Sequence, residues 1–229
     1  MDDDRVIETA AGIRLAYRVA GRPDAPPLVL LHGLGDGAAS WDGVAPALAR
    51  RSRVYAPDLR GHGRSDRPGD YSVELMAADA AAFLDALGLD RVDLIGHSMG
   101  GLVGYLLAGD HPGRVRRLIL EDVAALRPRE RGPLERPPGE LPFDWEMVRA
   151  IRGQIDQPDP AWLGRLGRIT APTLVIAGGA ASHVPQEWVS DLARQIPGAR
   201  LETIEAGHSI HEAAPEAFTR AALEFLATG

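Results

Sequence analysis

A chain of 229 residues with 45% hydrophobic content can bury one substantial core and is short for two. Its formal charge of −7 argues against a nucleic-acid partner, and the absence of cysteine excludes disulfide and thiol chemistry. No apolar run reaches the roughly twenty residues that span a bilayer, and Met1-Asp2-Asp3-Asp4-Arg5 is acidic where a secretory leader is basic, so a cytoplasmic monomer or homodimer without membrane contact is expected. Lysine and asparagine are absent, a bias that GC-rich coding, thermal adaptation or design would each produce.

In chain order, residues 6–9 and 13–19, split by Ala11-Gly12, read as an antiparallel hairpin. Strands then alternate with helices. A strand at 28–31 precedes a helix around 41–50, and a strand at 54–56 precedes a helix over 73–87, with Ser72 as its N-cap and Gly88 as its stop. A strand at 92–95 leads into a helix at 101–108, followed by a strand at 115–120. The closing units are a strand at 173–177, a helix at 186–196, a strand at 201–204 and a helix at 215–227. This alternation predicts an α/β fold with a mostly parallel sheet and helices on both faces.

Residues 127–168 break the rhythm. Prolines at 128, 133, 137 and 138 forbid a regular element in the first part. In the second, Phe143, Trp145, Met147, Val148, Ile151 and Ile155 have helical spacing, and Trp162 and Leu163 follow. The expected organisation is one core domain, 1–126 with 169–229, interrupted by a short insertion at 127–168.

Chemistry concentrates at Gly96-His97-Ser98-Met99-Gly100, a G-x-S-x-G pentapeptide between a β-branched strand and an apolar helix. A serine at the apex of so tight a turn needs small neighbours, so that the backbone can close and a substrate can reach Oγ. Two other strands end in loops of the same character: His32-Gly33-Leu34-Gly35, and Asp58-Leu59-Arg60-Gly61-His62-Gly63-Arg64-Ser65-Asp66. With these three motifs in this order, the chain resembles the α/β-hydrolase superfamily, in particular its small bacterial serine esterase and lactonase-like members.

The resemblance implies a central sheet of about eight strands with a short cap over the active site at 127–168. Ser98 would be the nucleophile and His208, just after the last strand, its base. The backbone amides of Leu34 and Met99 would form the oxyanion hole. Gly33, Gly35 and Trp41, with Phe143, Trp145, Met147 and Trp162 from the cap, are the expected substrate-binding residues, the cap helix laying its apolar face over Ser98.

The acid departs from the family pattern. Relatives typically carry a carboxylate in the loop that here reads Ala177-Gly178-Gly179-Ala180-Ala181-Ser182-His183-Val184-Pro185, and Ala181 occupies that position. Losing this carboxylate costs serine hydrolases about 10⁴-fold in turnover. Three explanations stay open: relocation to Asp122 at the end of the preceding strand, an engineered substitution, or a non-catalytic descendant. Glu205 is close to His208 in sequence but is expected to point elsewhere. A serine nucleophile excludes the aspartate chemistry of dehalogenases and epoxide hydrolases. No metal-ligand cluster or phosphate-binding loop calls for a cofactor. The expectation is hydrolysis of a small carboxylic ester or lactone through an acyl-enzyme. Alternatives are a catalytically silent ligand-binding protein, a cofactor-free perhydrolase and a C–C bond hydrolase.

Overall fold

A computed structural model describes residues 3–227. Eight strands form one sheet in the order β1-β2-β4-β3-β5-β6-β7-β8: β1 Asp3–Glu8, β2 Arg14–Ala20, β3 Pro27–Leu31, β4 Arg53–Pro57, β5 Val92–His97, β6 Val115–Glu121, β7 Thr173–Ala177 and β8 Arg200–Thr203. β1 and β2 are antiparallel to their neighbours, and every pairing from β4 across to β8 is parallel.

The helices are α1 Ala45–Leu48, α2 Val73–Ala86, α3 Met99–Asp110, α4 Trp145–Asp156, α5 Ala161–Leu166, α6 Gln186–Gln195, α7 Ile210–Ala213 and α8 Pro215–Ala227. Strand side chains alternate between two apolar layers, as the pleat requires. Leu28, Leu30, Ile95, Ile119, Leu174 and Ile176 face α1 and α8. Val29, Leu31, Leu94, Leu118, Leu120 and Val175 face α2 and α3, with α4, α5 and α6 continuing that layer. β5 is buried along its whole length, so the segment that ends at Ser98 is firmly anchored in the sheet. Among the described residues no helix is long and apolar enough to cross a membrane.

Most boundaries follow the sequence pattern. Ser72 Oγ accepts from the Leu75 amide at 3.0 Å and caps α2. The helix expected around 41–50 is instead a 3-10 turn, Ala38–Gly43, followed by the single turn of α1. Pro46 explains the break: it sits in the first turn of α1 and cannot donate back into a helix started at Trp41. Between β6 and β7 the chain runs without regular structure to Asp144, whose side chain caps α4, and then forms α4 and α5.

Candidate active site

The parallel strands place the candidate residues at one edge. β3, β5 and β6 end side by side, with Leu31 opposite Gly96 and His97 opposite Glu121. Directly after β5 the backbone turns into α3 through Ser98, at φ 50° and ψ −114°. A non-glycine residue held at positive φ is strained, and the surroundings must enforce it. They do so by close approach. A Cβ on Gly96 would lie 2.5 Å from the Gly100 carbonyl oxygen, and one on Gly100 would lie 2.2 Å from that of Leu31. Hydrogen bonds clamp the turn further: Ser98 N–H donates to the Glu121 carbonyl at 3.0 Å, and the Ser98 carbonyl accepts from Gly101 and Leu102.

One strand away, Asp122 leaves β6 at φ 49° and is buried. His208 Nδ1 lies 2.7 Å from Asp122 Oδ2, so Nδ1–H donates to the carboxylate. The same carboxylate accepts from Ser182 Oγ at 2.5 Å, Gln186 Nε2 at 3.1 Å and the Gly178 amide at 3.0 Å. Burial pushes the Asp122 pKa up. Hydrogen bonds from His208, Ser182, Gln186 and Gly178 more than offset that, and the carboxyl sits below its ordinary value. Ala181 ends a short 3-10 turn, Gly179–Ala181, and brings no carboxylate to His208. Glu205 points away, its Oε2 accepting from the Ala180 amide at 3.0 Å.

The remaining histidines build the surroundings. His97 Nε2–H donates to the His208 carbonyl at 3.1 Å, and its ring lies 4.7 Å from the His208 ring. Burial lowers the His97 pKa to about 4, which keeps the ring neutral. On the other side His183 stacks edge-on at 4.3 Å. Its pKa is lowered as well, by burial first and then by His208. His32 accepts the Leu59 amide at Nε2 and so carries its proton on Nδ1, which donates to the Gly33 carbonyl at 2.8 Å. His62 does the same for the Gly35 amide and the Arg60 carbonyl. Two buried neutral imidazoles therefore shape the loop that presents the Leu34 amide. His211 is buried and binds Glu121 at 2.8 Å.

Ser98, His208, Asp122, Gly33, Leu34 and Met99 share one cavity of about 360 Å³. The expected aromatic walls lie elsewhere. Trp41 is fully buried between the sheet and α8 and stacks on His211 at 4.2 Å. Trp162 is buried in α5 and donates Nε1–H to Glu74 at 2.6 Å. Met147 is buried beside Gly61, while Phe143 packs over Gly35 and Trp145 against the core. None of these lines the cavity, nor does Gly35. The reason is that the apolar face of α4 (Met147, Val148, Ile151) gains more by joining the main core beside α2 than by roofing a pocket. Gln154 fixes that choice, accepting from the Val73 amide and donating to Glu74. The insertion instead contributes Arg129, Arg131, Arg152 and Ile155 to the cavity wall. Arg129 and Arg131, in a proline-rich run, carry no periodic signal that could have marked them, and Arg152 reads as an ordinary polar position of α4.

Residues 26–151 match the sequence model of the alpha/beta hydrolase fold. The chain belongs to the α/β-hydrolase family. RutD of Variovorax paradoxus, a protein named for carbamate hydrolysis, is 34% identical over 93% of this chain and 96% of its own length. An uncharacterized protein of Mycobacterium tuberculosis is 46% identical over 49% of this chain, and the match spans only 33% of that relative's length. Among solved structures, the enol-lactonase of Burkholderia xenovorans LB400 superposes with a TM-score of 0.86 at 25% identity, covering 98% of this chain and all of that one (100%).

Proposed function

We propose that the protein is a serine hydrolase of a small carboxylic ester or lactone, with Ser98, His208 and Asp122 as its triad. The observation that carries this reading is the 2.7 Å hydrogen bond from His208 Nδ1 to a buried, ionised Asp122, on the wall of the cavity that also holds Ser98. That bond fixes the imidazole tautomer and leaves Nε2 bare to accept a proton. Ser98 Oγ attacks the substrate carbonyl while His208 takes its proton. The developing oxyanion is stabilised by the amides of Leu34 and Met99. His208 then protonates the leaving alkoxide, and water, deprotonated by the same imidazole, releases the acid and regenerates Ser98. The lactonase neighbour and the hydrolase relative favour acyl transfer to water over ligand binding alone.

A fluorophosphonate probe tests the reading, since it labels an activated serine and spares an inert one. Labelling of the parent chain that is lost in Ser98→Ala supports it. A parent chain that neither labels nor hydrolyses 4-nitrophenyl esters would overturn it.

A further inference from the structure

The chain carries a formal charge of −7, yet the cavity wall contributed by the insertion is cationic. Arg129, Arg131 and Arg152 converge on a single carboxylate, Asp156, each through Nε: at 3.2, 2.7 and 2.6 Å respectively. Three guanidinium groups against one carboxylate leave a surplus of positive charge. Asp156 is also the last residue of α4, the end of a helix at which the macrodipole disfavours an acid. Its place there is explained by the three arginines that it holds in a fan.

Bonding through Nε leaves the two terminal nitrogens of each guanidinium without a hydrogen-bonding acceptor among the described residues. Those nitrogens form the fork that matches a carboxylate. All three side chains are partly covered, at 24, 31 and 20% exposure, and so partly shielded from water. Arg129 is braced further by Trp188, whose ring lies 5.6 Å from its guanidinium carbon. Burial, followed by the neighbouring charge of Arg131, lowers the Arg129 pKa, against the opposing pull of Asp156. The acids on the cavity wall do not answer them: Asp122 is committed to His208, and Asp36 lies beside His97 and Gly33 on the other wall.

We propose that the substrate carries a carboxylate besides its scissile acyl group, and that Arg131 and Arg152 bind it with Arg129 behind them. This rests on the serine-hydrolase reading for the scissile bond, but the anion site itself does not. Two esters of equal acyl length separate the cases: the 4-nitrophenyl monoester of glutaric acid and neutral 4-nitrophenyl pentanoate. The anionic ester should be preferred in kcat/KM by tenfold or more, as about one charge-assisted contact gives. Arg131→Gln and Arg152→Gln should each erode that ratio by about tenfold, mainly through KM, with melting temperature recorded to confirm folding. Turnover of the neutral ester without preference for the anionic one would overturn the proposal and leave the hydrolase reading standing. If neither ester is turned over and Ser98 is unlabelled, the hydrolase reading falls. Glutarate then decides the anion site alone: a rise in melting temperature that vanishes in the Arg131→Gln, Arg152→Gln double variant supports it, and no rise overturns it.

Discussion

Ser98 and Asp122 leave neighbouring parallel strands at the same level and both at positive φ, 50° and 49°. The Ser98 amide donates to the carbonyl of Glu121, the residue before Asp122, so the two turns are hydrogen-bonded to each other. A carboxylate at this strand end is therefore in register with Ser98, and it reaches His208 from the sheet rather than from the loop after β7.

Asp122→Asn should cut kcat for a 4-nitrophenyl ester by about 10³–10⁴-fold, because the amide cannot hold the same imidazole tautomer or stabilise imidazolium. Ala181→Asp should gain no more than a few-fold, since Nδ1 of His208 is already bonded. Steady-state kinetics of both variants check this. A gain of two orders of magnitude from Ala181→Asp would instead mean that the acid position is simply vacant.

Ser182→Ala removes the 2.5 Å hydrogen bond to Asp122 Oδ2. The carboxyl should become easier to protonate, so the acid limb of the kcat profile should move to higher pH, with kcat at neutral pH falling about tenfold or less. Ser182→Thr, which keeps the hydroxyl, should restore the profile. A pH–rate series on the three proteins measures both effects.

Trp162→Ala should cost about 3–5 kcal/mol in stability, as for a buried indole, with the ester chain-length profile unchanged. Denaturant unfolding alongside a panel of 4-nitrophenyl esters distinguishes this from a pocket role. A shifted profile at unchanged stability would place the ring at the substrate.

His97 has a folded-state pKa of about 4, below the ordinary value of 6.5. Between those values the unfolded chain binds the proton and the folded one does not. The stability linked to His97 is therefore fully present above about pH 6.5 and is lost as pH falls towards 4, at up to about 1.4 kcal/mol per pH unit. In His97→Gln the melting temperature should vary less steeply across this window, which differential scanning fluorimetry at stepped pH reads directly.

Much of the fold is visible in local pattern. Short apolar runs mark β3 and β7 because a strand buried on both faces has little room for polar side chains, and Ser72 announces α2 because a cap is local chemistry. α5 and α7, at six and four residues, are too short for helical periodicity to accumulate. Ser98 is readable because the turn needs glycines, and His208 because the resemblance places a histidine just after the last strand. Asp122 could be named only as one possibility, because an acid at that strand end is equally compatible with a purely structural role. The part of the cavity wall that the insertion contributes was not readable. Periodicity identifies the apolar face of α4 but not what that face packs against, and Met147 and Ile151 were free, on sequence alone, to point to substrate or to core.

Where the carboxylate stands also decides what the chain can afford to vary. With Asp122 on a buried strand end, the segment 179–185 supports the carboxylate through Ser182 and sets His183 against the His208 ring, while α6 adds Gln186. Divergence in length or composition there need not displace the carboxylate itself. Such a scaffold can remodel that side of its entrance in small steps while the hydrogen bond between His208 and Asp122 remains tied to the sheet.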